Sequence, residues 1–390
     1  MISVEEAKNL IGKNISPLES ILKPLEESSE HILAQDVFGH YDIPAFRQSS
    51  MDGYAIIFDD KVRELDLIGE MAAGTVNQLI LKNGETSRIF TGAPLPDGAD
   101  TVVMQERIIR KGNRISFADD KLVLGANVRQ VGAEIRAGEK AMQRGDLLAP
   151  AALAFLAGIG ISEVEVYPMP KVAIILTGNE LQQPGQLLNF GQVYESNSYS
   201  LSAALKKEGI SDIEVLKAED TLEKLTEVLK LALESKDIVL LTGGVSVGDY
   251  DFVLQAAANC GVKQIFHMVK QKPGKPLFFG KLNDKVIFGL PGNPSSVLNC
   301  YYNYVVPAVK MLSNKQNSII EIMAELTHDY KKPVGLTHFL KGNYKAGKAT
   351  PLGAQESYRL SSFAQANCLI QLNEGQENFN AGETVNVILI

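Results

Sequence analysis

Between Lys171 and Leu312 short apolar runs alternate with helical segments, and this alternation restricts the architecture more than any other feature of the chain. Val172–Leu176, Ile213–Leu216 and Asp237–Leu241 read as strands. Ser198–Glu208 (closed by Gly209), the amphipathic Thr221–Glu234 and Asp251–Asn259 (closed by Gly261) read as helices. Strands alternating with helices of ~10–15 residues build βαβ units around a largely parallel sheet. The flanks differ. Ser3 and Glu6 form a capping-box pattern, so a short helix is expected to end near Gly12. From Asp42 to Gln130, short apolar stretches (Ala55–Phe58, Arg88–Phe90, Thr101–Gln105) lie between Gly, Pro and Asn turns, as in a small β-rich module. Pro150, Ala151–Ala157 and Gly158 read as a helix with Pro in its first turn. From Asn317 the alternation returns, clearest at Glu383–Ile390. The fold class expected is α/β plus β, with a β-rich insertion, an α/β core and a C-terminal β domain.

A chain of 390 residues suits two or three domains at ~150 residues each. Its 38 basic and 46 acidic side chains leave a net charge of 38 − 46 = −8. That argues against nucleic acid held by an overall positive field, while leaving room for a local basic pocket. The cysteines, Cys260, Cys300 and Cys368, are far apart and form no CxxC pair, so neither a disulfide framework nor a thiolate metal cage is expected. The first residues, Met1 to Glu6, lack the basic and apolar regions of a signal peptide. Leu147–Ser162, the longest uncharged apolar run, contains Pro150, Gly158 and Gly160 and falls short of the ~18 residues of a span. A cytoplasmic location without membrane or nucleic-acid partners is the expectation.

Ligands of a parallel α/β sheet bind beyond the carboxyl ends of its strands. Four loops there are chemically marked: Thr177-Gly178-Asn179-Glu180; Thr242-Gly243-Gly244-Val245-Ser246-Val247-Gly248-Asp249-Tyr250-Asp251; Lys272-Pro273-Gly274-Lys275-Pro276; and Pro291-Gly292-Asn293-Pro294-Ser295. Glycines that let backbone N–H groups turn inward before a helix favour an anion. The second loop is also satisfied by a tight strand-to-helix turn with Asp249 and Asp251 complementing the helix dipole. Two lysines on a proline-stiffened turn suit an oxyanion, or else simply solvate an exposed hairpin. The fourth loop also reads as an N-capped turn. In the β-rich module, Asp52 before Gly53 is either an Asx turn or a functional carboxylate, and Thr91-Gly92-Ala93-Pro94 has the same two options.

Ser50-Met51-Asp52-Gly53-Tyr54-Ala55, Thr91-Gly92-Ala93-Pro94-Leu95-Pro96, the glycine-rich loop, the double-lysine turn and Pro-Gly-Asn-Pro occur in that order. In this combination the chain resembles, along essentially its whole length, the molybdopterin molybdenumtransferases of the MoeA type, relatives of the gephyrin E domain. The resemblance implies an elongated four-domain chain: residues 1–41 with 131–169 as a linker domain, 42–130 the β-rich module, 170–315 a three-layer α/β molybdopterin-binding domain, and 316–390 a C-terminal β domain. It also implies a homodimer with composite sites that inserts molybdate into adenylated molybdopterin, releases AMP and uses Mg²⁺ or another divalent cation. An adenylyltransferase of the same pathway would supply the substrate.

Carried over by motif, Asp52 and Thr91 are the partner subunit's contribution. Glu180, Asp220 and Asp251 are acidic site residues, Glu180 and Asp251 also metal ligands. Gly243, Gly244, Ser246, Gly248, Lys272, Lys275, Pro276, Gly292, Asn293, Ser295, Lys341 and Ser357 bind substrate. Tetrahedral oxyanions favour lysines and hydroxyls, and carboxylates favour hard Mg²⁺. The chain departs from the family pattern at Asn179 and Glu134 (Asp is usual), Met268 (often Lys, with Lys270 nearby) and Lys341 (often Arg). Two alternatives stand beside the transferase: the pathway's adenylyltransferase, whose loop is of the Gly-Gly-Thr-Gly type, and a gephyrin-like dimeric scaffold.

Overall fold

The computed structural model describes residues 1–245, 252–315 and 321–390. Val172–Thr177 and Ile238–Thr242 are buried along their whole lengths. Strands without a polar face must lie between two layers. Among the described residues they belong to a six-stranded sheet in the order Ile213–Ala218, Val172–Thr177, Ile238–Thr242, Lys285–Leu290, Phe278–Leu282, Lys263–His267. The first four are parallel. Phe278–Leu282 runs antiparallel to both its neighbours, so the sheet is largely parallel, as the alternation predicts. Side chains sort by the period of two. Ile174, Leu176, Leu240 and Phe288 pack with Leu201, Leu205, Val297 and Tyr304 on one face. Ala173, Ile175, Leu241 and Ile287 meet Leu225, Leu229, Val253 and Ala256 on the other. Truncating a residue in either layer, Leu229→Ala for example, should cost about 3 kcal/mol.

The helices start where the sequence signals them. Thr221 Oγ1 accepts from Lys224 N at 3.3 Å and opens Leu222–Ser235, whose Leu225, Leu229, Ala232 and Leu233 face inward. Ser3 Oγ accepts from Glu6 N at 3.0 Å and opens Val4–Asn14, which buries Val4, Ala7 and Ile11 in the first of those layers.

The C-terminal strands close on themselves. Among the described residues Thr337–Lys345, Lys348–Pro351, Glu321–Leu326, Thr384–Leu389 and Cys368–Leu372 pair in sequence, and the last pairs again with the first. Closure leaves no free edge within the ring. Leu340, Ile370, Leu372 and Val387 fill the interior, while the alternating Phe339, Leu369 and Ile388 pack on the α/β core. Gln271–Lys272 joins the barrel by parallel pairing with Thr337–His338. That pairing seats the double-lysine turn against the C-terminal domain.

All these elements belong to one compact unit, Met1–Leu22 with Glu30–Ala34 and Glu165–Ile390. The second unit is Lys23–Ser29 with Gln35–Val164. Its main sheet, among the described residues, runs Thr101–Met104, Gly53–Ile56, Glu85–Ile89, Glu64–Met71, Arg114–Phe117, Ile108–Lys111. Ala55, Ile89 and Val102 fill one face, and Tyr54, Ile56, Val103 and Ile115 the other. Glycine is required at 53, because a Cβ there would lie 2.1 Å from the Val103 carbonyl oxygen. Helix Pro150–Gly158 carries no charge and buries only Leu156 fully.

Candidate active site

The strand-end loops of the α/β core converge through their backbones. Thr177 Oγ1 donates to Thr242 O at 3.1 Å, and Gly243 N donates to Leu290 O at 3.2 Å. Gly243 and Gly244 have φ of 87° and 62°. A Cβ on Gly243 would stand 3.0 Å from Thr177 Oγ1, so the loops touch where only glycine fits. Gly292 approaches Gly243 from the fourth loop, and its carbonyl accepts from Asn197 Nδ2 at 3.0 Å. Glu180 is exposed just past Val172–Thr177, its carboxylate folded back over Gly178. Asp220 follows the edge strand Ile213–Ala218, immediately before the Thr221 cap.

The double-lysine turn, the Pro-Gly-Asn-Pro loop and the C-terminal domain together enclose a cavity of about 370 Å³. Lys272, Lys275, Pro276, Asn293 and Ser357 line it. Ser357 Oγ accepts from Asn293 Nδ2 at 3.0 Å, which leaves the hydroxyl hydrogen to donate. The Ser357 carbonyl accepts from Ser295 N at 3.0 Å, so Ser295 reaches this loop through its backbone, with its own hydroxyl buried and unpartnered among the described residues. Glu356 also lines the cavity, and its carboxylate is paired with Arg359 at 3.3 Å. Both lysines are exposed, and neither makes an ion pair among the described residues. Lys270 and Met268 do not line the cavity.

Lys341 is placed differently from the sequence expectation. It is 2% exposed, and Nζ donates to the carbonyls of Ala354 (2.7 Å), Arg359 (3.1 Å) and Glu356 (3.3 Å). Burial lowers its pKa, and the ammonium is spent on backbone oxygen. Lys341 therefore shapes the loop that carries Ser357 and does not reach into the cavity. An adjoining cavity of about 310 Å³ shares Lys272 and Glu356 and adds His338. Burial, with the Lys272 and Lys332 ammoniums close by, brings His338 down to about 4. No sequence motif marked His338.

The Asp52–Thr91 pair lies in the second unit. Asp52 Oδ1 accepts from Thr91 N at 2.8 Å and from Thr91 Oγ1 at 2.9 Å, a contact across 39 residues and not a local Asx turn. These bonds, the backbone N–H first, hold the carboxyl below the usual carboxylate range. Arg88, which the sequence did not single out, supports the corner: it donates to Gly53 O at 2.8 Å and lies over the Tyr54 and Phe90 rings. Glu134 also lies in this unit, against a cavity with Pro44, Phe46 and Phe155. Ser246, Gly248 and Asp251 lie outside the described residues.

The chain matches three family profiles: the MoeA N-terminal region (domain I and II) over residues 2–160, a probable molybdopterin binding domain over 173–311, and the MoeA C-terminal region (domain IV) over 323–390. Over 401 residues it is 34% identical to a molybdopterin molybdenumtransferase of Staphylococcus aureus (strain COL), covering 100% of this chain and 95% of that protein. A molybdopterin molybdenumtransferase of Staphylococcus epidermidis is 35% identical over 400 residues with the same coverage. Two crystal structures of the MoeA molybdopterin biosynthesis protein from Pyrococcus horikoshii superpose with TM-scores of 0.84 and 0.78 at 28% and 30% identity. They cover 100% of this chain and 99% and 100% of theirs.

Proposed function

Because the chain belongs to the molybdopterin molybdenumtransferases of the MoeA family, and is thus a transferase of molybdenum cofactor biosynthesis, we propose that its substrates are adenylated molybdopterin and molybdate and that AMP is released. The observation that carries this reading is the cavity in which Lys272, Lys275, Asn293 and Ser357 meet. Two ammoniums and one hydroxyl donor match a small tetrahedral dianion. The abutting glycine turns at Gly243 and Gly244 suit the phosphate side of the second substrate, with backbone N–H groups as donors. Lys341, by fixing the Ser357 loop, serves the same cavity from below.

Mg²⁺ commonly binds through one or two carboxylates together with substrate phosphates. Glu180 fits such a role, since a Cβ on Gly178 would come within 2.8 Å of its carboxylate oxygens at the mouth of the strand. Asp251 is the second carboxylate of the proposal. A divalent cation held there would polarise the phosphoanhydride. In this proposal the substrate's own phosphate oxygens would complete the cation's coordination.

The homodimer belongs to the same proposal, with Asp52 and Thr91 of one subunit completing the α/β site of the other. Helix Pro150–Gly158 supports it: an uncharged helix that buries only Leu156 fully leaves apolar surface for a second copy. The division into 1–41 with 131–169, 42–130, 170–315 and 316–390 assigns those roles. Three free cysteines suit the reducing cytoplasm, no helix among the described residues is long and apolar enough to cross a membrane, and an adenylyltransferase is the expected supplier of substrate.

The test is AMP release and active cofactor formed from adenylated molybdopterin and molybdate. Lys275→Ala should raise the molybdate needed for half-maximal rate about tenfold or more, the loss of one charge-assisted hydrogen bond. Mixing Asp52→Ala with Asp251→Ala subunits should restore activity that neither has alone. A mixture as inactive as its components would remove the composite site.

A further inference from the structure

Resting on the oxyanion reading of the cavity, we infer that Gln271 is the positioning residue of the double-lysine turn, itself oriented by Tyr304 from a π-helical turn beneath it. Three consecutive carbonyls of the turn point inward. Asn299 Nδ2 donates to Pro273 O at 3.0 Å, Gln271 Nε2 donates to Gly274 O at 2.7 Å, and Val269 N donates to Lys275 O at 2.9 Å. A carbonyl oxygen turned toward a bound dianion would repel it, so tying these three away leaves the cavity lined by the lysine ammoniums. The Lys272 and Lys275 side chains make no such anchor, because both are exposed and outside any ion pair among the described residues. The pinning must come from the buried side.

Gln271 is fully buried and uses both ends of its amide. Tyr304 OH donates to Oε1, which fixes which end faces Gly274. Tyr304 reaches it because Tyr301–Val305 is a π-helix between Pro294–Cys300 and Val306–Leu312. Asn299, on the preceding helix, and Tyr304, within the π turn, both meet the loop, Asn299 at Pro273 O and Tyr304 through Gln271. Gly274 (φ 87°) seals the arrangement, for a Cβ there would stand 2.6 Å from Cys300 Sγ. The turn is thus seated on the helix with no slack.

The experiment measures the rate against molybdate and, separately, against adenylated molybdopterin for wild type, Gln271→Leu, Tyr304→Phe and Lys275→Ala. Gln271→Leu should raise the molybdate half-saturation about tenfold, as an unpinned carbonyl turns toward the anion, with the other substrate's half-saturation changed less than about twofold. Tyr304→Phe, which keeps the ring and removes only the donor, should raise it about threefold in the same direction. A merely structural role would lower the rate at every molybdate concentration without this split. If Lys275→Ala shifts the molybdate dependence while Gln271→Leu and Tyr304→Phe do not, the positioning role is wrong and the oxyanion cavity stands. If Lys275→Ala leaves it unchanged as well, the cavity reading falls and this inference with it.

Discussion

The lysine cavity and the Asp52–Thr91 corner carry opposite charge and are built in opposite ways. Around the cavity the struts lie beneath the surface: Gln271, Asn299 and Lys341 hold backbone carbonyls from below, while the two lysines are exposed and the Ser357 hydroxyl, which accepts from Asn293, keeps its hydrogen to donate. At the corner, one half-buried carboxylate is held by a single residue, Thr91, at the end of a strand whose rigidity comes from backbone packed against backbone at Gly53. On the proposed reading, the cavity is preorganised for a small anion by groups of its own unit. The corner presents a fixed charge held by two bonds from one residue, and the proposal has that charge serve a site completed by the other subunit. Preorganisation in the first case should make stability and affinity fail together. In the second they should separate.

The largest effect should come from the one rigid feature of the corner. Gly53→Ala puts a Cβ 2.1 Å from the Val103 carbonyl, in the middle of a paired strand. Relief requires the two strands to part, at a cost of about 3 kcal/mol or more, measured as a fall in the denaturant midpoint. A near-normal midpoint would mean that the corner's backbone is loosely held and that the contrast with the cavity is false.

Next is Lys341→Met on the cavity side. It leaves the Arg359 carbonyl without its donor, the Ala354 carbonyl with Ser362 Oγ alone and the Glu356 carbonyl with Arg359 N alone, around a side chain only 2% exposed. One unpaired acceptor costs about 1–3 kcal/mol and each lost second hydrogen bond about 1 kcal/mol, and relief of the buried ammonium's own desolvation offsets part of that, so a net loss of about 2 kcal/mol is expected. Molybdate half-saturation should rise in parallel, because the released loop carries Ser357. Lys341→Arg should give no gain in affinity, since the side chain faces carbonyls and not the anion. Stability lost without any change in molybdate dependence would detach Lys341 from the cavity.

How much of this was legible in the sequence follows the range of the interactions. The α/β core was readable because a strand buried on both faces must be continuously apolar, as Val172–Thr177 is, and because Ser3 and Thr221 cap their helices through bonds three residues long. The cavity residues on loops were readable as types: Lys272, Lys275, Asn293 and Ser357 do converge. What supports them was not. The barrel closes through a pairing of Thr337–Lys345 with Cys368–Leu372, and no local pattern records which strands close a ring. Lys341 was legible as a cation, but its direction depends on three carbonyls thirteen to eighteen residues away. The π turn at Tyr301–Val305 has no compositional mark, and nothing in the sequence singles out Gln271 or Tyr304. Thr91 was legible as a motif, but its bond to Asp52 spans 39 residues.

A smaller effect is a pH dependence that the cavity side should show through His338. Its folded pKa of about 4 lies below the ordinary 6.5, because the site is buried and Lys272 and Lys332 are near. The native state therefore holds the ring neutral while the unfolded chain takes up a proton below pH 6.5. The stabilisation is complete above 6.5 and drains away as pH falls toward 4. His338→Gln should remove about 2 kcal/mol of the decline between those values, seen as a flatter dependence of the denaturant midpoint on pH than wild type. An unaltered slope would place His338 in a wetter site than its 5% exposure implies.

The smallest expected change in stability, and the sharpest test of the contrast, is Asp52→Asn. Thr91 N and Oγ1 can both still donate to the amide oxygen, so the corner keeps its shape and loses only its charge. Because Asp52 is only partly buried and the Thr91 bonds are kept, the melting temperature should stay within about 2 °C of wild type. Activity is a different matter if this charge serves a site completed by a second subunit: the rate should fall severely, with molybdate half-saturation unchanged, since the cavity that binds the anion is intact. The rate should also be insensitive to this group on mild acidification of the wild type, because the Thr91 bonds keep it ionised below the usual carboxylate range. A variant that keeps full activity would make Asp52 a structural link to Thr91 and nothing more. A variant whose molybdate dependence shifts like that of Lys275→Ala would show that the two regions act on one ligand, and the distinction between a preorganised cavity and a contributed charge would have to be given up.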